Sequence, residues 1–139
     1  MLTDLLIAEH AAVYGYGALG ARLVSQPRQL AQLAADSHRA RRDDLGARLR
    51  AVDAGVPGGR PSYDVTVSSP AEAVALAVRL EEGMALRWRA LVAGTDDQGL
   101  RRLGIAGLSE TAVRAAQWRK SAGDPPTVAL PGTGATGGG

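Results

Sequence analysis

Four stretches of this chain repeat their apolar residues every three or four positions, and three of those stripes carry an ionisable residue where the pattern asks for hydrocarbon. The first begins near Thr3 and runs through Leu2, Leu6, Val13, Tyr16 and Leu23, with Glu9 squarely inside it. Ser25-Gln26-Pro27 reads as a break and restart, because proline suits a first helical turn and disfavours helix in the residue before it. The second stretch runs from about Pro27 to Ala54, stops at Gly55, and passes through Ala31, Ala34, His38, Leu45, Leu49 and Val52. Ser69-Pro70-Ala71-Glu72 combines an N-cap, a proline and a capping-box glutamate, the clearest helix start in the chain. From there the third stripe continues to about Ala93 through Val74, Ala77, Leu80, Met84, Trp88 and Leu91; Glu81 lies on it and Glu82 does not. A short turn, Gly94-Thr95-Asp96-Asp97, leads into the fourth, which ends near Ala122. Its stripe is Leu100, Leu103, Gly107 or Leu108, Thr111, Ala115 and Trp118, with Glu110 at the edge. Gly104 and Gly107 mark a kink or a close approach to a neighbouring helix.

Short turns favour antiparallel neighbours, so the expectation is an all-α, antiparallel four-helix bundle over residues 1–122. A chain of 139 residues needs only one core. Phe is absent and Ala, Leu and Val carry the apolar content, which suits close helix packing better than sheets. Residues 55–69 read as a long connection, long enough to cross the end of the bundle, and residues 123–139 as an extended or disordered Pro/Gly tail.

Composition also removes function classes. Without cysteine there are no disulfides and no thiolate metal sites. The N-terminus lacks a basic leader region and Glu9 interrupts its apolar run, which points to a cytoplasmic protein with no membrane partner. The net charge is +2, Lys120 is the sole lysine, and the densest basic run, His38 to Arg42, is followed at once by Asp43 and Asp44. No concentrated basic face results, so no nucleic-acid partner is expected.

A buried, unpaired charge costs several kcal/mol or neutralises itself, so Glu9, His38, Glu81 and the edge residue Glu110 need partners. Carboxylate-bridged di-metal bundles draw a Glu from each of two helices and a Glu-x-x-His pair from each of the other two. The chain offers Glu9, then Ala35-Asp36-Ser37-His38, then Glu81, then Glu110-Thr111-Ala112-Val113. Over residues 3–122 this resembles the ferritin-like superfamily, with Ala35 and Val113 standing where the motif has Glu and His. More narrowly, AEHAAVYGYGALGARL, HRARRDDL, RLEEGMALRWRAL and TVALPG together resemble a family of small ferritin-like proteins of unknown function from high-GC, actinobacterial bacteria. The resemblance implies a fold and no established activity.

Three carboxylates and one imidazole are a poor donor set for a pair of oxygen-activating irons. Asp36 cannot replace the missing Glu, being rotated about 100° from that position. The expected reading is therefore a degenerate di-metal site, with Glu9, His38, Glu81 and Glu110 hydrogen-bonded to one another and to an arginine such as Arg41 or Arg114, and with no resident cofactor. The alternative is one iron, manganese or zinc ion on those four residues, in a metal-dependent oxidoreductase or storage protein. Tyr14, Tyr16, Trp88, Trp118 and Met84 read as core, and Arg39, Arg41, Arg42 and Arg48 as a solvated face. Gly15, Gly17 and Gly20, with Ala11, Ala18 and Ala21, form a small-residue face for helix contact. The function expected from this is non-catalytic, through an unidentified protein partner or a second copy as a dimer.

Overall fold

The computed structural model describes residues 1–127, so the expectation for the tail beyond Thr127 lies outside the described residues. The described residues are all-α: α1 (Leu2–Gly20), α2 (Ser25–Ala51), α3 (Pro70–Gly94) and α4 (Gln98–Ala122) form a four-helix bundle in which α1 packs on α2 and α3, and α3 on α4. Two apolar clusters fix the directions. At one end Leu5 and Leu6 of α1 pack with Leu45, Leu49, Met84, Trp88, Leu91 and Leu103. At the other, Tyr16, Leu19 and Leu23 pack with Ala31, Ala34, Ala73, Val74, Ala77 and Trp118. The start of α1 thus meets the ends of α2 and α3, so α1 is antiparallel to both while α2 and α3 run parallel. Each fully buried leucine contributes about 1.5–3 kcal/mol, which makes these two clusters the main source of cohesion.

Parallel α2 and α3 require the connection to travel the length of the bundle rather than cross its end. Residues 52–69 do so along α1. Gly59 lies against His10, the Tyr63 ring packs on Tyr14 with centroids 5.2 Å apart, and Arg22 Nε donates to the Val67 carbonyl at 2.9 Å.

Helix ends follow the local signals, with two departures. Ser69 accepts from the Glu72 amide at 3.2 Å, and Glu72 reaches back to the Ser68 amide at 2.8 Å, one residue earlier than a capping box over Ser69 requires. Asp97 accepts from the Leu100 amide at 2.7 Å to start α4, and Gly123, at φ +80°, ends it. The second helix, expected over Pro27 to Ala54, spans Ser25–Ala51 instead. Asp53 takes φ +51° and breaks the helix, which leaves Val52 71% exposed rather than inward.

The glycines of α4 serve close approach, with no break in the helix. A Cβ on Gly107 would land on the Trp88 indole, and one on Gly104 would sit 2.7 Å from Val92 Cγ2. The small-residue face of α1 divides. Gly15 is buried beneath Leu80, 2.8 Å from where a Cβ would be, whereas Gly17 and Ala21 are exposed.

Candidate functional site: a buried polar layer

Between the two apolar clusters lies one polar layer to which all four helices contribute. Glu9, His38 and Glu81 are each no more than 1% exposed. His38 spans the other two: its Nδ1 is 2.6 Å from Glu9 Oε2 and its Nε2 is 3.0 Å from Glu81 Oε1. A carboxylate oxygen only accepts, so an imidazole held at both nitrogens by carboxylates is held as the doubly protonated cation.

Glu81 Oε1 collects two further donors, the Tyr16 hydroxyl at 2.6 Å and Arg114 Nε at 3.0 Å. Trp118 Nε1 donates to the Tyr16 oxygen at 2.9 Å, and Arg114 Nη1 donates to Ser37 Oγ at 3.0 Å. The Tyr16 ring also stacks on His38 with centroids 5.2 Å apart. Two cations, His38 and Arg114, face two anions, Glu9 and Glu81, so the layer is electrically balanced where water is excluded. Glu81 Oε2 and Thr111 Oγ1 are buried with no hydrogen-bond partner among the described residues.

The ionisation of these groups follows from the geometry. Burial pulls the His38 imidazolium toward deprotonation, but the hydrogen bonds it donates to Glu81 and Glu9, with their charges, outweigh it and raise its pKa from 6.5 to about 9. Burial pushes Glu81 up, yet the His38 hydrogen bond and charge, with Arg114 and Tyr16, leave it below its ordinary value. Burial and the Glu81 carboxylate beside it hold the Tyr16 phenol well above its usual value, so Tyr16 stays a neutral donor.

Of the four residues expected to converge, three do. Glu110 lies apart: its side chain is 47% exposed and its carboxylate takes Arg41 Nη2 at 2.5 Å on the surface. Thr111, one residue along and rotated about 100°, takes the inward place on α4 instead. Both arginines named as partners are engaged, but on different carboxylates, Arg114 on Glu81 and Arg41 on Glu110. Arg41 is also not a freely solvated residue, since its guanidinium lies 5.3 Å from the Trp88 ring. Tyr16 and Trp118 are core as expected, but their polar tips belong to the network. Helical spacing reports burial and is blind to a hydroxyl at the end of a ring. Tyr14 is 38% exposed against the connection rather than core.

A histidine ligand must present a bare nitrogen lone pair, and both His38 nitrogens face carboxylates at hydrogen-bonding distance. Among the described residues no group of three or more His, Cys, Asp or Glu side chains is arranged to hold a metal.

The family model for a domain of unknown function, DUF4439, matches residues 2–135. The chain belongs to that family. A crystal structure of a conserved hypothetical protein, rv2844, from Mycobacterium tuberculosis is similar at 37% identity and a TM-score of 0.82, covering 86% of this chain and 92% of that one. The sequence resemblance to a family of unknown function from actinobacteria agrees with both. No curated protein matches the chain, and among the described residues no helix is long and apolar enough to cross a membrane.

Proposed function

We propose that this DUF4439 protein is a non-catalytic, cytoplasmic helical module of ferritin-like descent that works by self-association. The observation that carries this reading is the closure of its centre. His38 uses both ring nitrogens on Glu9 and Glu81, and Arg114 and Tyr16 occupy the remaining approach to Glu81 Oε1. A degenerate di-metal site of this kind keeps Glu9, His38 and Glu81 as a structural clasp, with Glu110 released to the surface. The metal-binding and oxidoreductase alternative requires Glu9 or Glu81 to leave a His38 nitrogen before that nitrogen can take a metal.

The outer face of α2 and α4 supports self-association. Pro27, Leu30 and Leu33 line a groove of about 560 Å³ with Gln117, Lys120 and Ser121. Leu33 is 68% exposed there, and Val113, next to Arg114 on α4, is 58% exposed. Along α2 the acids are paired within the helix, Asp36 with Arg39, Asp43 with Arg42 and Asp44 with Arg48, so no block of one sign opposes a second copy. A copy packed on this face about a two-fold axis covers Leu33 on both partners. Light scattering on the eluting protein should give a dimer mass for wild type and a monomer mass for Leu33→Asp, with the same helical content and melting curve. A wild type that stays monomeric at high micromolar concentration overturns self-association.

A further inference from the structure

Gly17 is a helix-interior glycine that packing does not require. A Cβ built on it meets nothing within 4 Å among the described residues, yet glycine in mid-helix costs about 0.5–1 kcal/mol relative to alanine. It borders a cleft of about 240 Å³ between the end of α1 and the start of α2. Tyr16, Ala31 and Ala35, all buried, form the floor of this cleft, and Arg28, Gln32 and Arg39 are exposed around it.

The rim is electropositive and incompletely paired. Arg39 spends one guanidinium nitrogen on Asp36 at 2.6 Å, so its charge is largely offset. Arg28 and Gln32 have no side-chain hydrogen bond or ion pair among the described residues. The start of α2 adds to this field: it has no side-chain cap and no acid in its first turn, so the positive end of a 27-residue helix is left uncompensated. One free guanidinium, one free amide and a small apolar floor match a monoanion with a compact apolar body. A carboxylate fits the planar fork of an arginine with two parallel hydrogen bonds.

We propose that the α1–α2 cleft binds a small organic acid, its carboxylate on Arg28 and Gln32 and its apolar body on the Tyr16, Ala31 and Ala35 floor beside Gly17. Gly17 is then the residue that keeps the cleft open. The test is an amide NMR titration of the full chain with benzoate and, separately, with inorganic phosphate. Benzoate should shift the Gly17, Gly20 and Gln32 amides saturably and phosphate much less. Arg28→Ala should weaken benzoate by about tenfold or more, the loss expected for a hydrogen bond to a charged group. Gly17→Leu should abolish binding while melting at or above the wild-type temperature, which separates a filled cleft from a damaged fold. Absence of saturable shifts at millimolar benzoate, phosphate binding as tightly as benzoate, or benzoate binding unchanged in both variants would each overturn the proposal.

Discussion

Replacing His38 with leucine should destabilise the bundle by about 3–5 kcal/mol, the range for removing one member of a buried charge pair, and a comparable domain has only about 5–15 kcal/mol in total. The size of the effect comes from what is left behind. Glu9, 1% exposed, loses the cation that His38 supplies, and Glu81 keeps Arg114 and Tyr16 but loses one of its two positive neighbours. Leucine has nearly the volume of histidine, so a cavity is not the cause. Adding Glu9→Leu to His38→Leu should therefore recover much of the loss, because an apolar pair of similar shape is tolerated where a lone carboxylate is not. Urea unfolding of the two variants checks both statements, and a double variant weaker than the single one contradicts this account of the layer.

The same residue sets the pH dependence. Because folding raises the His38 pKa from 6.5 to about 9, its contribution is complete below 6.5 and is lost as pH rises through 9, a fall on the order of 3 kcal/mol. Glu81, depressed in the fold, contributes above its ordinary value of 4.5 and loses that contribution as pH falls through its lowered value. Wild-type stability should thus be greatest between about pH 4.5 and 6.5 and decline toward pH 9. In His38→Leu the alkaline decline should disappear.

Gly107→Ala should also be strongly destabilising, by about 1–3 kcal/mol or more, although alanine is the better helix former by about 1 kcal/mol. The new methyl would collide with the face of the Trp88 indole, which is 1% exposed and packed in the cluster at that end of the bundle. Gly17→Ala is the control: among the described residues nothing lies within 4 Å of its new methyl, so it should be neutral or stabilising. Thermal melts should therefore show a lowered Tm for Gly107→Ala and an unchanged or raised Tm for Gly17→Ala.

Much of the fold was legible because helical periodicity and end signals act locally. Glu9, His38 and Glu81 fell on apolar stripes, and burial at those places follows from the 3.6-residue turn alone. Glu110 shows where that reasoning thins. It sat at the edge of a stripe, and the difference between an edge and the core is one residue, about 100° of rotation, which Thr111 wins. The end of α2 was overrun for a related reason. Val52 continues the apolar spacing, but the positive φ of Asp53 stops the helix, and no glycine or proline marks that position. The path of residues 52–69 along α1 depends on contacts such as Tyr14 with Tyr63, between residues far apart in sequence. The roles of Tyr16 and Trp118 were hidden by their ring bulk, which satisfies the apolar pattern whatever its polar atoms do.

The claim on which the rest depends is that the centre of this bundle is a closed imidazolium clasp. Its most direct test is long-range proton–nitrogen NMR of the His38 ring, followed against pH and repeated with zinc and with ferrous iron. The account predicts two protonated ring nitrogens at neutral pH, one titration near pH 9, and no change on adding either metal. A bare His38 nitrogen at neutral pH, or a ring signal shifted by stoichiometric metal, would contradict it and make the polar layer a ligand site.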